Sequence, residues 1–333
     1  MKNKITLLFS LLLSISLHAQ WDLVWEDQFD GSTIDTTKWK IDVGGNGWGN
    51  NESQYYTSQG NLTIQNSILT ITAKAEQFGS NQYTSAKIKT EGKFNVRFGK
   101  IETRMKCPMG QGLWPAFWML GSNHSTIGWP KCGEIDVIEH INSETKVHGT
   151  AHWDNVGHIY WGGIINNDPT QFHNYSIIWD STKIQWFMDD QIYYQLNTLN
   201  GVNGTEEFLN SFYLILNLAV GGNWPGYPNA NTVFPAEMQV DYVKVYQPSN
   251  ANSINDINNQ MDLFSILENN KILLKSNFNH IKIIAVNGQL LIDEKIYTNE
   301  ISIKNLNEGI YFIELYNDGK VCRKSFIKST NPE

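Results

Sequence analysis

The chain has 333 residues, of which 33 are acidic and 25 basic, giving a formal net charge of −8 at pH 7. That length suits one large domain and a small one, and the acidic balance argues against nucleic acid or an anionic membrane surface as a partner. Twelve Trp, fourteen Tyr and fifteen Phe residues suit either an aromatic core or a surface that contacts the flat apolar faces of sugar rings.

The first nineteen residues have the pattern of an export signal. Lys2 and Lys4 precede an apolar run that ends at Leu17, and the small residue Ala19 follows. This pattern predicts a signal peptide over residues 1–19. The run is too short to span a bilayer, and no other segment is apolar enough, so the sequence predicts no transmembrane segment.

The chain has three cysteines, Cys107, Cys132 and Cys322. Export permits disulfides, but three cysteines cannot form a framework of several bridges, and their spacing does not resemble a zinc site. Cys107 and Cys132 either pair with each other or stay reduced, and Cys322 is left over in both cases.

Between residues 21 and 246 the sequence consists of short alternating runs separated by Gly, Asn, Asp and Pro, without a long helical period. Runs of this kind predict an all-β fold, an antiparallel β-sandwich. In a sandwich with curved sheets, the concave face forms an open groove that can accept a polymer. The clearest predicted strands are 62–64, 68–72, 100–105, 175–179, 183–188 and 238–246.

One six-residue stretch carries three carboxylates, Glu134, Asp136 and Glu139. Side chains alternate along a strand, so Glu134 and Asp136 share a face while Glu139 falls out of phase. Strict alternation would turn Glu139 into the core, where an unpaired carboxylate costs several kcal/mol. A β-bulge at Val137-Ile138 would return Glu139 to the face of Glu134.

The bulged spacing also predicts a distance. Four strand steps cover about 13 Å, and two Glu side chains that lean toward each other leave about 5 Å between their carboxyl groups. Retaining glycosidases hold their two catalytic carboxyl groups about 5–5.5 Å apart. The alternative is an acidic strand face that is simply solvated.

The C-terminal part of the chain has a different character. Residues 247–260 are rich in Asn, Ser, Pro and Asp, which is typical of a linker, and strand–turn–strand units follow. The sequence predicts a main domain over 20–247, a linker over 248–262 and a small β domain over 263–333.

Three short patterns in the small domain resemble the C-terminal sorting domain of type IX secretion substrates. They are Asn287-Gly288, Gly309-Ile310-Tyr311 and a terminal Lys-x-Phe-Ile-Lys at residues 324–328. The resemblance implies export through the type IX secretion machinery to the cell surface or the medium. The alternative is a generic immunoglobulin-like accessory module.

Residues 21–247 resemble glycoside hydrolase family 16, and most of all its laminarinase branch. Five blocks in order carry the resemblance, at residues 48–57, 112–120, 134–139, 147–153 and 216–224. The family implies a concanavalin-like jelly roll with a concave substrate cleft and no cofactor for catalysis. It implies that Glu134 is the nucleophile and Glu139 the general acid/base of a retaining reaction. Asp136 should raise the affinity of the cluster for a proton and help to fix both glutamates.

Several candidate residues for sugar binding surround the catalytic strand. Trp114, Trp118 and Trp129 flank it and can provide aromatic platforms, although any of them could be core instead. Asn50 stands where the family contacts sugar. His152 is predicted to share a strand face with His148 and Thr150, and a satisfied core histidine is the alternative.

Three further binding candidates come from the resemblance. Glu102 and Arg104 share a face of one strand, which the family places in the cleft, but a cross-strand salt bridge is the alternative. Lys87 stands where laminarinases have Arg, within Ser85-Ala86-Lys87. Lysine keeps the charge but loses the planar fork of donors.

The family also implies a structural Ca²⁺ held by Glu26, Asp241 and the carbonyl of Gly60, because calcium prefers oxygen ligands. The sequence as a whole predicts a secreted, monomeric endo-β-1,3-glucanase. Hydrolysis of mixed-linkage β-glucan or agar-type galactan is an alternative within the same chemistry. A glucan-binding protein without catalysis is the alternative from another class.

Overall fold

The computed structural model of the chain describes residues 21–249, 264–267, 270–275, 278–285, 289–317 and 320–328. The predicted signal peptide, almost all of the predicted linker and the turn predicted at Asn287-Gly288 lie outside these residues. Trp21–Pro248 forms one compact unit, and the described residues from 264 onward belong to a second unit. Each unit is described by itself.

The first unit is built almost entirely of strands, with one short α-helix, α1 (His124–Ile127), and one 3₁₀ segment, Leu199–Leu209. The strands are β1 (Trp21–Asp27), β2 (Lys40–Asp42), β3 (Gln54–Tyr56), β4 (Leu62–Gln65), β5 (Ile68–Ala73), β6 (Tyr83–Ser85), β7 (Lys87–Lys89), β8 (Gly99–Lys106), β9 (Leu113–Gly121), β10 (Glu134–Glu139), β11 (Lys146–Asp154), β12 (His158–Asn166), β13 (His173–Trp179), β14 (Lys183–Met188), β15 (Gln191–Asn197), β16 (Phe212–Val220) and β17 (Ala236–Pro248).

These strands form two large antiparallel sheets. The eight-stranded sheet has the order β15-β14-β13-β8-β17-β5-β4, with β1 also paired to β17, and the seven-stranded sheet has the order β12-β11-β10-β9-β16-β7-β2. Only the small β3–β6 pair is parallel. The prediction of an antiparallel β-sandwich is therefore confirmed, and each of the six predicted runs lies within a strand.

The alternation of the strands explains how the core forms. On β8, Ile101, Thr103 and Met105 are fully buried, and Ile101 and Met105 join one hydrophobic cluster with residues from both sheets. Each such apolar side chain contributes about 1.5–3 kcal/mol when it leaves water. Four tryptophans are also completely buried, so part of the aromatic content of the chain serves the core: Trp39, Trp153, Trp179 and Trp186.

The second unit has its own hydrophobic core and two antiparallel sheets, with the orders β18-β19-β22 and β21-β20-β23-β24. This result confirms the small C-terminal β domain. Lys328, which ends the predicted Lys-x-Phe-Ile-Lys pattern, is buried and donates a hydrogen bond to the carbonyl of Ile303 at 2.8 Å. The strands are β18 (Phe264–Leu267), β19 (Lys271–Leu274), β20 (His280–Ala285), β21 (Leu290–Lys295), β22 (Glu300–Ser302), β23 (Gly309–Asn317) and β24 (Lys320–Lys328).

Two questions from the sequence are answered by the described residues. Cys107 and Cys132 are both buried and both free, so they do not pair with each other. Among the residues that the structure describes, no helix is long and apolar enough to cross a membrane.

Candidate active site

The acidic strand β10 contains the predicted bulge. Against β11, Asp136 pairs with Thr150 and Glu139 pairs with His148, so two residues of β10 stand opposite Gly149 alone. The register against β9 shifts at the same point, between Asp136 and Ile138. The extra residue restores Glu139 to the face of Glu134, and the prediction of a bulge at Val137-Ile138 is confirmed.

The bulge is supported from the core side by Trp186. Its indole N–H donates a hydrogen bond of 2.8 Å to the carbonyl of Asp136, a group that the interrupted ladder would otherwise leave without a partner. A Cβ atom at Gly149 would collide with the Trp186 ring and the Tyr193 hydroxyl. Glycine is therefore required at this position to let the tryptophan reach the bulge.

Glu134, Asp136 and Glu139 lie together on the outer face of the seven-stranded sheet, which we call the cleft face. The side chain of Glu134 is 18% exposed, and Asp136 and Glu139 are buried. Glu139 Oε1 accepts a hydrogen bond of 2.9 Å from the indole N–H of Trp114. This bond orients the carboxyl group of Glu139 and leaves its second oxygen free.

His152 faces the same carboxylates from β11. Its Nε2 atom lies 3.2 Å from Asp136 Oδ2 and 3.8 Å from Glu134 Oε1. The shorter contact falls outside hydrogen-bond geometry, so the buried Asp136 Oδ2 atom has no hydrogen-bond partner. The structure thus brings His152 to the catalytic strand, as the sequence predicts.

Burial dominates the electrostatics of this cluster. It is the largest cause that raises the pKa of Glu134 to about 8 and the pKa of Glu139 to about 8, and the charge of Asp136 is the second cause for both. Burial also raises the pKa of Asp136 well above its usual range. Because the charge of His152 opposes these shifts only in part, the cluster retains protons near neutral pH.

Tryptophans surround the carboxylates on the cleft face. Trp114, besides its bond to Glu139, contacts Trp224 edge to face with ring centroids 5.5 Å apart. Trp118 donates its indole N–H to Asn217 Oδ1 at 2.6 Å, and Trp129 is 45% exposed beside the ring of His152. All three predicted tryptophans therefore lie around the acidic strand.

Lys87 lies between two of the aromatic rings. Its Nζ atom is 4.9 Å from the ring centroid of Trp48 and 5.0 Å from that of Trp118, distances at which a cation is attracted to a ring face. Burial lowers the pKa of Lys87, while the charges of Asp42 and Glu52 oppose that shift. The cation is therefore held in position beside the cleft face.

The structure adds a residue that the sequence analysis overlooked, Glu52. Its Oε2 atom accepts hydrogen bonds from Gln54 Nε2 at 2.5 Å and from the hydroxyl of Tyr56 at 3.3 Å, and burial raises its pKa. Asn50 Nδ2 lies 3.5 Å from Glu52 Oε1, which places the predicted residue Asn50 in the same network. Glu52 stands only two residues from Asn50, so the block that pointed to Asn50 could have pointed to both.

His158 and Tyr160 of β12 were also overlooked. His158 Nε2 lies 2.9 Å from Nδ1 of His152, and Tyr160 pairs with His152 across the strands. The His-x-Tyr alternation in the sequence indicates that His158 and Tyr160 share a strand face. Their proximity to His152 depends on the pairing of β12 with β11.

The prediction that Glu102 and Arg104 line the cleft is wrong. Both lie on β8, in the eight-stranded sheet, and point away from the core on the side opposite to Ile101. Glu102 Oε1 accepts a hydrogen bond of 3.0 Å from the hydroxyl of Tyr242, and Arg104 forms an ion pair of 2.5 Å with Asp241. Sequence alternation shows that two residues share a face but not to which sheet the strand belongs.

The predicted calcium site stays a prediction. Glu26 lies on β1 and Asp241 on β17, which are paired strands. The carboxylate of Asp241 is already paired with the guanidinium of Arg104, and Glu26 Oε2 accepts a hydrogen bond of 2.8 Å from Gln28. A Ca²⁺ ion at this place would therefore compete with Arg104 for the carboxylate of Asp241.

Comparisons with known proteins agree with this geometry. Residues 49–244 match the model of glycosyl hydrolases family 16, and residues 262–329 match that of the secretion system C-terminal sorting domain. Both resemblances seen in the sequence are thus confirmed.

Three similar proteins illustrate the match. The chain is 41% identical over 237 residues to the clotting factor G alpha subunit of Tachypleus tridentatus, covering 70% of this chain but 35% of that protein. It is 41% identical over 245 residues to a beta-glucanase of Rhodothermus marinus, covering 68% of this chain and 85% of that protein. The laminarinase catalytic domain of Thermotoga maritima aligns with a TM-score of 0.65 at 41% identity, covering 69% of this chain and 99% of that one. Because the family model spans more than half of the chain and the acidic strand has the bulged geometry that the chemistry needs, the chain belongs to glycosyl hydrolase family 16.

Proposed function

We propose that this protein is an exported endo-β-1,3-glucanase that cleaves laminarin-type glucan with retention of the anomeric configuration. The observation that carries the proposal is the bulged strand β10, which brings Glu134 and Glu139 to one face of the strand among tryptophans. The beta-glucanase and laminarinase relatives support the substrate class.

The reaction follows from the two carboxyl groups. The carboxylate of Glu134 attacks the anomeric carbon while protonated Glu139 donates its proton to the departing glycosidic oxygen, which forms a covalent glycosyl-enzyme. Glu139 then takes a proton from a water molecule as the water oxygen attacks the anomeric carbon, and the Glu134 carboxylate leaves. The indole N–H of Trp114 holds one oxygen of Glu139, so that the other oxygen carries the proton.

The flanking groups serve the same step. Burial and, second to it, the charge of Asp136 raise the pKa of Glu139 and so keep the acid protonated near neutral pH. Lys87, Trp118 and Trp129 lie on either side of the carboxylates and are suited to bind hydroxyl groups and the apolar faces of sugar rings.

The test is hydrolysis of a panel of polysaccharides by the purified chain, with the first product anomer followed by NMR. We expect laminarin to be cleaved within the chain to short oligosaccharides that carry the β anomer first. First release of the α anomer would refute retention. Faster cleavage of mixed-linkage glucan or of agarose would refute the linkage, and binding without release of reducing ends would indicate a glucan-binding protein.

We also propose that export uses the type IX secretion machinery, since residues 262–329 match its sorting domain. In a bacterium that carries this system, removal of residues 263–333 should leave the enzyme inside the cell envelope. The matched full-length chain should reach the cell surface or the medium. Equal export of both forms would contradict the proposal.

A further inference from the structure

Glu134, Asp136 and His152 bring their side-chain donor atoms close together. One donor atom of each residue lies within 4.8 Å of a donor atom of each of the other two. His152 Nε2 is 3.2 Å from Asp136 Oδ2 and 3.8 Å from Glu134 Oε1. In tetrahedral zinc sites, bonds of about 2.0–2.2 Å place neighbouring donor atoms about 3.4 Å apart, a value that these two distances bracket.

We infer that these three side chains form a binding site for a divalent transition-metal ion such as Zn²⁺, and that an ion bound there blocks the cleft. In the part of the chain that the structure describes, no other three His, Cys, Asp or Glu side chains come together in this way. The inference goes beyond the proposed function, because ion binding does not require that the chain hydrolyse glucan.

An independent observation at Asp136 supports the site. The residue is 2% exposed, yet its Oδ2 atom has no hydrogen-bond partner and faces the other two donors. A buried polar atom without a partner is costly. A bound cation would satisfy this oxygen.

His152 is oriented in the manner of a metal ligand. Its Nδ1 atom lies 2.9 Å from His158 Nε2, and its ring stacks on Tyr160 with centroids 5.6 Å apart. When Nδ1–H donates to His158, the lone pair of Nε2 faces the two carboxylates. Metal-binding imidazoles use an outer partner of this kind to fix their tautomer, so His158 is a positioning residue for the site.

The donor set selects the class of ion. One imidazole and two carboxylates suit Zn²⁺ or Cu²⁺ with an open fourth position, whereas Ca²⁺ and Mg²⁺ prefer oxygen ligands alone. An ion at this place would take the lone pair of Glu134 that the proposed reaction needs. Glucan and the transition metal would therefore compete for one carboxylate.

The test is calorimetric titration of Zn²⁺ into the chelator-treated full-length chain without a histidine tag. We expect one Zn²⁺ per chain at this site and at least tenfold weaker binding in Glu134→Gln and in His152→Asn. Asparagine can keep the bond to His158 but lacks a donor at the Nε2 position. Thermal unfolding of each variant shows whether it is folded.

Two matched controls use the same residue types on the same strands. Glu139→Gln and His148→Asn should bind Zn²⁺ within threefold of the unmodified chain, because neither residue belongs to the donor set. Unchanged Zn²⁺ affinity in Glu134→Gln and His152→Asn would overturn the inference. Equal affinity for Ca²⁺ would overturn it as well.

A kinetic measurement on the unmodified chain needs no variant. Added Zn²⁺ should raise the apparent KM for laminarin, and a chelator should restore it, because ion and substrate exclude each other. Inhibition that leaves KM unchanged would contradict the shared carboxylate. If the chain hydrolyses no glucan, the proposed function fails, while the titration still decides the metal site.

Discussion

Strands β8 and β10 carry similar patterns of charged residues but differ in what surrounds them. On β8 the charged side chains face outward from the eight-stranded sheet, and the one carboxylate, that of Glu102, has a cation beside it. Lys100 Nζ lies 2.6 Å from Glu102 Oε2, and Arg104 pairs with Asp241. Glu102 is buried, so its charge is compensated by Lys100 away from water, whereas the Arg104–Asp241 pair is partly exposed.

On β10 the opposite holds. Among the described residues, no Lys or Arg forms an ion pair with Glu134, Asp136 or Glu139; His152 contacts Glu134 and Asp136, and the charge of Lys87 lowers the pKa of Glu134 only as a minor cause. Burial without a full counter-charge raises the pKa of each carboxyl group. Glu102 and Glu139 are equally buried, each 8% exposed, so the two strands differ in whether a Lys or Arg lies at ion-pair distance from the carboxylate.

The sharpest way to test this contrast is to make the same substitution on both strands. Glu134→Gln should lower kcat/KM on laminarin by about 10⁴-fold or more, because no other group can form the glycosyl-enzyme. Glu102→Gln removes the same charge from the opposite sheet and should leave kcat/KM within twofold. A large loss in Glu102→Gln would mean that the outer face of β8 takes part in the reaction.

Strand β10 also differs from β8 in its bulge, and Gly149→Ala tests the bulge directly. The added methyl group would collide with Trp186 and Tyr193, and overpacking of this kind costs about 1–3 kcal/mol. We expect lower stability in denaturant unfolding and lower activity, because Trp186 holds the carbonyl of Asp136. Gly31→Ala, where the nearest atom is at an ordinary contact distance, is the control and should change neither.

The pH dependence of kcat/KM tests how the carboxyl groups of β10 behave without a Lys or Arg at ion-pair distance. The reaction needs Glu134 ionised and Glu139 protonated, and the pKa of each is about 8, so kcat/KM should peak near pH 8 and fall above it, where the acid loses its proton. In Asp136→Asn the charge that raises the pKa of Glu139 is absent, so the alkaline limb should move to lower pH. A pH–rate profile of each protein checks the sign, and a limb that stays in place or moves upward would contradict it.

The smallest change in stability is expected for the ion pair between Arg104 of β8 and Asp241 of β17. The Arg104 and Asp241 side chains are 39% and 32% exposed, so their ion pair should contribute about 0–1 kcal/mol. A double-mutant cycle of Arg104→Ala and Asp241→Ala in thermal unfolding measures this coupling. If Asp241→Ala alone abolishes a stabilisation by Ca²⁺, then Asp241 is a calcium ligand and not mainly a partner of Arg104.

The sequence by itself determined the features that depend on local periodicity. The sandwich strands, the small C-terminal domain and the bulge at Val137-Ile138 all follow from which residues share a face. The position of Glu139, five residues after Glu134, left a bulge as the physical way to keep a carboxylate out of the core. These features needed no knowledge of distant contacts.

Only the tertiary structure decided the features that depend on strand pairing. It placed Glu102 in the eight-stranded sheet, brought His158 to His152 and joined Glu52 to the network of Asn50. Periodicity along one strand does not state which strand lies beside it, because pairing is set by contacts between residues far apart in the chain. The reactivity of β10 is decided at the same level, since burial and the lack of a basic partner are properties of the assembled sheets.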